Sequence, residues 1–297
     1  MNHSILSAGL ALAGLVFAVS TRAQTVLESM RVPASGDPVT FTNRFARGEV
    51  FLLKAAGAVA VGSHRLDAKF EFDGMKAIGT NAATGSDTGI ETGLKAGRAP
   101  AGTGTGPEPL KWFGDLRMDH TYYLLATGTG RPLTLKLNPG GHPGGTGAIT
   151  VSLYQLSPVP AALPDPLEIL PVSVLAETEL TTMATRTGVV YLLQAAGDGH
   201  VGGGGLGRGD AEYMDYRADG SGCEDIGDNN IDYGLGVDEA DTAKSPRQRW
   251  WGPFRYDHIY YQLFNGTGAP IHFHYYDSNY GDNSPTDRLT VKVFAAP

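Results

Sequence analysis

Two copies of one unit make up most of the chain. The block KWFGDLRMDHTYYLLATGTGRPLTLKL at 111–137 aligns without a gap with RWWGPFRYDHIYYQLFNGTGAPIHFHY at 249–275, at an offset of 138 residues. Two further matches lie upstream in the same order: FLLKAAG at 51–57 with YLLQAAG at 191–197, and LDAKFEF at 66–72 with GDAEYMDY at 209–216. Several matches in one order indicate a duplication, so the chain must fold as two similar units.

A proline-rich segment separates the two copies. Residues 155–171 contain five prolines, which remove hydrogen-bond donors and stiffen the backbone as in a linker. We therefore predict a first repeat at 24–156, a linker at 157–166 and a second repeat at 167–297.

The first residues have the pattern of a targeting segment. The apolar run ILSAGLALAGLVFAV at 5–19 is followed by Thr21-Arg22-Ala23, which places small residues where signal peptidase recognises them. We expect residues 1–23 to be a signal peptide and the protein to be secreted or periplasmic. The rest of the sequence has no apolar run of the roughly 20 residues that a membrane-spanning helix needs.

Each repeat has the pattern of short β-strands. The 41 Gly and 18 Pro residues disfavour long helices. Segments rich in Val, Ile, Tyr and Thr are bounded by turn residues at 120–126, 132–137, 148–154, 258–264, 269–276 and 288–294. Alternation places Leu133, Leu135 and Leu137 on one face of their strand, and likewise Ile271, Phe273 and Tyr275, so we expect these faces to be buried. The prediction is an all-β chain with two tandem antiparallel β-sandwich or jelly-roll domains.

The acidity of the chain belongs to the second repeat. Residues 24–156 carry 13 Lys/Arg and 11 Asp/Glu, whereas residues 157–297 carry 9 and 20, and the whole chain has a formal charge of −8. This balance argues against a nucleic-acid partner, because phosphate binding depends on Lys and Arg. It favours cations as charged ligands. The single cysteine, Cys223, excludes an internal disulfide and a CxxC metal site.

Oxygen-bearing side chains crowd the turn before the last predicted strand. In YYDSNYGDNSP at 275–285, Asp277, Asn279, Asp282 and Asn283 carry the carboxylate and amide oxygens that Ca²⁺ prefers. Asp and Asn are also ordinary turn formers, so a plain turn is the alternative. The first repeat, however, has NPGGHPGGTGA at 138–148, without a carboxylate. Because that turn closes without the acids, we favour a metal site in the second repeat.

The second repeat resembles the bacterial galactophilic calcium-dependent lectins, the PA-IL-like family. The matching segments are VVYLLQAAG at 189–197, RWWGP at 249–253, NGTGAPIHFHYYD at 265–277 and YGDNS at 280–284. The resemblance implies a galactose-binding-like jelly roll in which a bound Ca²⁺ in turn binds sugar hydroxyls.

The resemblance also implies which residues hold the calcium ion. Asp277, a mid-loop backbone oxygen at Asn279, and the pair Asp282 and Asn283 take those roles, with a further backbone ligand from residues 198–201. The sequence departs from the family in three ways. The loop is two residues shorter, Asp282 stands where the family has Asn, and residues 198–201 do not match the family.

Other side chains are weaker candidates for ligand contact. Tyr280 lies inside the loop and has no obvious counterpart in the first repeat. The acidic tract 210–241 holds 11 carboxylates and one Arg, and it fits a solvated loop, a second cation site or the rim of a ligand site. Under the resemblance, Asp219, Glu224 and Asp225 lie where the family places side chains that contact sugar.

Several features that resemble sites have a structural interpretation. Trp251 stands opposite Phe113 in the repeat alignment, which is typical of a core position. The pair His272 and His274 shares one face of a predicted strand, and we interpret it as solvent-facing because no third metal ligand is nearby in sequence.

The Asp-His pairs at 119–120 and 257–258 look like catalytic pairs. Both repeats keep them, including the repeat without the acidic loop. We therefore predict that they hold a turn that the two repeats share.

Two functions fit these observations. The first is a secreted, calcium-dependent carbohydrate-binding protein. The alternative is an extracellular structural, surface or filament subunit whose β-domains calcium makes rigid. Homo-oligomers are compatible with both. We do not expect an enzyme, because the sequence has no GxSxG, HExxH or P-loop motif and no carboxylate pair with a distinctive spacing.

Overall fold

Antiparallel β-strands form the framework of the chain. The computed structural model describes residues 25–73, 76–80, 88–91, 112–139, 144–157, 163–202, 207–214, 234–237, 251–277 and 279–297. These residues contain no α-helix, and the only helical element among them is one short 3₁₀ turn. The predicted all-β class is confirmed. Within the described ranges, no helix is long and apolar enough to cross a membrane.

The described residues of the first repeat form twelve strands. They are β1 Glu28–Pro33, β2 Val39–Arg44, β3 Val50–Ala56, β4 Val59–Val61, β5 His64–Leu66, β6 Phe70–Asp73, β7 Lys76–Thr80, β8 Thr88–Glu91, β9 Thr121–Thr127, β10 Pro132–Pro139, β11 Gly145–Thr146 and β12 Ala148–Gln155.

In the second repeat, the part that the structure describes forms nine strands and the 3₁₀ turn. They are β13 Glu168–Ser173, β14 Thr178–Leu180, β15 Val190–Ala196, β16 Gly199–His200, β17 Arg208–Gly209, β18 Gly234–Val237, β19 Ile259–Asn265, β20 His272–Tyr276, the 3₁₀ turn Tyr280–Asp282 and β21 Arg288–Ala295.

The two repeats build the same pair of facing sheets. A four-stranded sheet has the order β1-β12-β3-β9 in the first repeat and β13-β21-β15-β19 in the second. A three-stranded sheet has the order β2-β10-β8 in the first repeat and β14-β20-β18 in the second. The first repeat adds a five-stranded sheet in the order β11-β4-β5-β6-β7, where the second has the two-stranded β16-β17.

A separate hydrophobic core fills each sandwich. In the first repeat, Phe51 and Leu53 on β3 pack with Leu135 on β10 from the facing sheet. In the second, Leu193 on β15 packs with Phe273 on β20. The faces that alternation predicted to be buried are confirmed, since Leu133, Leu135, Leu137, Ile271, Phe273 and Tyr275 are all at most 3% exposed.

A third hydrophobic cluster joins the two repeats. The central strands β3 and β15 are buried on both faces, and their second faces contribute Val50, Leu52, Val190 and Leu192 to this cluster. A strand that is buried on both faces reads as a continuous apolar run, as FLL at 51–53 and YLL at 191–193 do.

The predicted strand positions agree with the structure to within one residue at most ends. There are two exceptions: β10 ends at Pro139, two residues beyond the predicted 132–137, and in the segment predicted at 269–276 β20 begins only at His272. Ile271 donates its N–H to the Thr181 hydroxyl at 2.8 Å, and Ala269 accepts a hydrogen bond from the Thr185 hydroxyl at 2.8 Å. The backbone N–H groups of Thr181 and Thr185 still donate to the carbonyls of Ile271 and Ala269, at 3.0 and 2.9 Å. The threonine hydroxyls supply the other hydrogen bonds, so regular strand pairing starts later.

Some predicted features fall outside the described residues. These are the signal peptide 1–23, half of the linker (158–162) and the candidate residues Asp219, Glu224 and Asp225.

Candidate functional site

The loop between β20 and β21 folds around its own polar side chains. Asp277 Oδ1 accepts the N–H of Asn279 at 3.2 Å, and Asn279 Oδ1 accepts the N–H of Gly281 at 3.2 Å, capping the 3₁₀ turn. These two bonds are the Asx turns that the plain-turn alternative expects. They occupy one oxygen of Asp277 and the side-chain oxygen of Asn279.

Asn283 is the residue that a plain turn does not explain. The residue is only 8% exposed, and its amide nitrogen donates to the carbonyl of Val174 at 2.6 Å. Its amide oxygen is buried and has no hydrogen-bond partner in the described structure. A buried amide oxygen without a partner costs about 1–3 kcal/mol. The loop therefore holds an acceptor that a ligand can satisfy.

Two carboxylate oxygens in the same loop are also shielded from solvent. These atoms are Asp277 Oδ2 and Asp282 Oδ1, and both are buried. The described ranges contain no group of three or more His, Cys, Asp or Glu side chains that could hold a metal ion. A metal in this loop would therefore depend on amide and backbone oxygens besides the two carboxylates.

A second segment, residues 198–201, contacts this loop. Residues 198–201 follow β15, and Val201 forms an isolated bridge with Asn283. The His200 carbonyl accepts the N–H of Ser284 at 2.9 Å, and the His200 N–H donates to Asp287 Oδ2 at 2.9 Å. That bond holds the pKa of Asp287 below its usual value. Residues 198–201 and the loop 277–283, which the resemblance assigns to one calcium site, are thus in contact.

The first repeat closes the same position with a glycine. Asn283 corresponds to Gly145 at the 138-residue offset, and Gly145 pairs with Val61 as Asn283 does with Val201. A Cβ at Gly145 would lie 2.6 Å from the carbonyl oxygen of Ala34, the counterpart of Val174. No side chain fits there, so the buried amide exists only in the second repeat.

Tyr280 ties the loop to the end of β20. Its hydroxyl donates to the Tyr275 carbonyl at 2.9 Å and accepts the N–H of Asp277 at 3.2 Å. The ring is half-buried and stands edge-on to His274 at 6.4 Å. The hydroxyl has a structural role, so only the ring of Tyr280 is left as a predicted ligand contact.

No protein-family model, curated protein or solved structure matches this chain. The resemblance to the galactophilic lectins therefore stays a prediction, carried by the segments quoted for it.

The remaining aromatic and histidine candidates lie in different settings. Trp251 is 3% exposed and its indole N–H donates to the Leu235 carbonyl at 2.7 Å, which confirms its core position. His272 is exposed, while His274 is half-buried between Thr178 and Tyr280, 3.3 Å from each hydroxyl.

The Asp-His pairs hold turns, as predicted, but with other partners. His258 has a φ of +47° and its Nδ1 lies 2.7 Å from Asp210 Oδ2, while Asp257 binds Arg255. His120 likewise has a φ of +47° and lies 3.0 Å from Asp67 Oδ2.

Sequence reasoning missed some polar residues beside the candidate site. Asp287 joins the two loops, and Asp198 forms an ion pair with Arg208 at 2.5 Å. A signal was present in the repeat alignment, because the first repeat has Ala58 opposite Asp198 and Gly147 opposite Asp287.

Proposed function

We propose that this protein is an exported, calcium-dependent carbohydrate-binding protein whose ion binds in the loop 277–283 of the second repeat. The observation that carries the proposal is Asn283, with its buried amide oxygen that has no hydrogen-bond partner in the described structure. A cation beside that oxygen would offset the cost of burying it.

The donor set favours calcium over other ions. The loop offers carboxylates from Asp277 and Asp282, the amide oxygen of Asn283 and the backbone carbonyl of Asn279. All are hard oxygen donors, and Ca²⁺ takes six to eight of them at about 2.3–2.6 Å in flexible geometry. The described loop contains no Cys or His, which softer transition metals would prefer.

The position of the loop favours a ligand with several hydroxyl groups. Asn279 and Gly281 are exposed, so an ion at the loop would lie near the surface with coordination positions open to neighbouring hydroxyls. The rings of His274 and Tyr276 stand 4.6 Å apart on β20 next to the loop and offer apolar surface to a sugar ring. The first repeat has Lys136 and Asn138 at these positions.

Calorimetric titration of the mature chain with CaCl₂ tests the metal site. We expect one ion per chain and at least a tenfold loss of affinity in Asp277→Asn and in Asn283→Ala, since each removes an inward oxygen donor or its charge. Asp37→Asn is the matched control, because Asp37 lies in an exposed turn of the first repeat. No binding at millimolar calcium, or equal affinity in all variants, would contradict the proposal.

A glycan array probed with and without a chelator tests the ligand. We expect binding that disappears on chelation and in Asn283→Ala. The alternative, a structural or filament subunit with a calcium-stiffened loop, predicts calcium binding without a glycan signal. The array therefore separates the two functions even when calorimetry succeeds.

A further inference from the structure

We infer that the first repeat serves as a built-in partner subunit for the second. The two repeats pack through the outer faces of their four-stranded sheets in the manner of a twofold dimer. The face through which the second repeat would otherwise bind another copy is covered within one chain. The chain is then a monomer, and, if the proposed function holds, a binder with a single sugar site.

Matched apolar residues from both repeats form the contact. Leu52 and Leu192 occupy equivalent positions on β3 and β15, and both are fully buried in the shared cluster. Tyr123 and Tyr261 are equivalent residues of β9 and β19, and they are 6% and 5% exposed in the same cluster. Each repeat thus presents the same patch to the other.

The polar contacts are reciprocal. Arg117 donates to the carbonyl of Gly188 in the second repeat at 2.6 Å, and its counterpart Arg255 donates to the carbonyl of Gly48 in the first repeat at 2.5 Å. Gly48 and Gly188 are themselves equivalent, since each lies three residues before the matching FLL and YLL runs. One interaction therefore occurs twice, once in each direction.

Both arginines are held in place before they cross the interface. The guanidinium of Arg117 binds both oxygens of Asp119 at 3.1 and 3.2 Å, and that of Arg255 binds both oxygens of Asp257 at 3.0 and 2.7 Å. A two-point ion pair fixes the plane of the guanidinium, so less freedom is lost when it docks.

The segments that follow β12 and β21 obey the same symmetry to within one residue. The Tyr123 hydroxyl donates to the carbonyl of Pro297 at 2.7 Å, and the Tyr261 hydroxyl donates to the carbonyl of Leu156 at 2.8 Å. Leu156 lies one residue after β12 and Pro297 two residues after β21, and these strands are equivalent. The tyrosine of each repeat thus secures the segment that leaves the last strand of the other.

Reciprocal contacts between like patches define an isologous interface. The second repeat holds both the donor Arg255 and the acceptor Gly188, so its surface is complementary to itself. In this chain the first repeat, which lacks the acidic loop, occupies that surface. The role of the first repeat is thereby assigned to the interface rather than to ligand binding.

Cutting the linker of the full chain tests this inference. A protease site placed at 158–162 allows the mature protein to be cleaved after folding, and size-exclusion chromatography with light scattering then gives the mass. We expect the uncut protein to have the mass of one chain, and the cut halves to stay together at micromolar concentration. Separation of the halves, or a dimer of the uncut protein, would overturn the inference.

Paired arginine variants test whether the reciprocal arginine contacts hold the two halves together. In the cleavable protein, Arg117→Ala with Arg255→Ala should raise the dissociation constant of the halves at least tenfold. Arg44→Ala with Arg186→Ala is the matched control, since both side chains are exposed, and it should leave the complex unchanged. Equal dissociation constants in both pairs would count against the reciprocal contacts.

The number of sugar sites on each chain is measured in a separate experiment. A chain with one site should bind a multivalent glycoconjugate without precipitating it. If the halves stay together but no glycan binds, the proposed function fails and the built-in partner stands. If the halves separate, the built-in partner fails whatever the glycan result.

Discussion

At the scale of single residues, two buried carboxylates organise the turns before β9 and β19. Asp210 has no exposed surface; its Oδ1 accepts the N–H groups of Glu212 and Tyr213. Its Oδ2 meets His258 and accepts the hydroxyl of Tyr260 at 2.8 Å. Four partners thus offset the cost of burying the charge. Asp67 has the same arrangement with His120 and Tyr122 in the first repeat.

His258 should make stability depend on pH. The hydrogen bond to Asp210 raises the pKa of His258 above its ordinary value of 6.5. The folded state therefore binds the proton more tightly than the unfolded state. The contribution of His258 to the free energy of unfolding is complete below pH 6.5. It is lost as the pH rises through the raised pKa that His258 has in the folded protein.

Denaturant titrations across this pH range check the expectation. The free energy of unfolding should fall between pH 6.5 and the folded pKa in the wild type, and less so in His258→Gln. His272→Gln, at an exposed position, should keep the wild-type profile. Identical profiles for wild type and His258→Gln would contradict the assignment.

At the scale of elements, the turns that leave β9 and β19 depend on a glycine that touches neighbouring backbone. A Cβ at Gly128 would lie 1.9 Å from the carbonyl oxygen of Ala46, and one at Gly266 would lie 2.1 Å from that of Arg186. Both glycines begin the GTG motif that the two repeats share. Close backbone approach, rather than turn conformation, explains the first glycine of the motif.

Alanine substitutions distinguish a glycine required by close backbone approach from one required by turn conformation. Gly128→Ala and Gly266→Ala should each lower the free energy of unfolding by at least about 3 kcal/mol, because backbone must move. Gly130→Ala is the control, with a φ of +83° but nothing within 4 Å of its Cβ, and we expect a cost of about 1–2 kcal/mol. Thermal or denaturant unfolding measures both. Equal losses at positions 128 and 130 would argue against the close approach.

At the scale of the whole molecule, the shared cluster couples the stability of the two repeats. Neither sandwich can expose its outer sheet face without losing the cluster that contains Leu52 and Leu192. We therefore expect the chain to unfold in one cooperative transition.

Calorimetric unfolding of two leucine variants checks this coupling. Leu192→Ala should cost about 2–5 kcal/mol, as for a buried core leucine, and should lower a single transition temperature. Leu180→Ala, at a position that is 46% exposed, should cost much less. A separate transition that Leu192→Ala leaves unmoved would show that the repeats unfold independently.

Local patterns predicted the strands well because strand formation here follows alternation and turn residues. These local patterns correctly predicted the buried faces of β10 and β20 and the core position of Trp251. The partners of His120 and His258 were not, because the buried aspartates lie about 50 residues away in sequence. The adjacent Asp119 and Asp257 pair with arginines instead. The environment of Asn283 also depends on contacts with Val174 and Val201, which no local pattern reveals.

By itself, the sequence determined the duplication, the all-β class and the loop in which oxygen donors gather. Each of these follows from the order of residues that are close together in the sequence. Only the tertiary structure decided that Asn283 is buried with its amide oxygen facing inward, and that the two repeats meet through reciprocal arginines. Burial and long-range hydrogen bonds arise only when segments distant in sequence pack together, and for that reason they have no local signature.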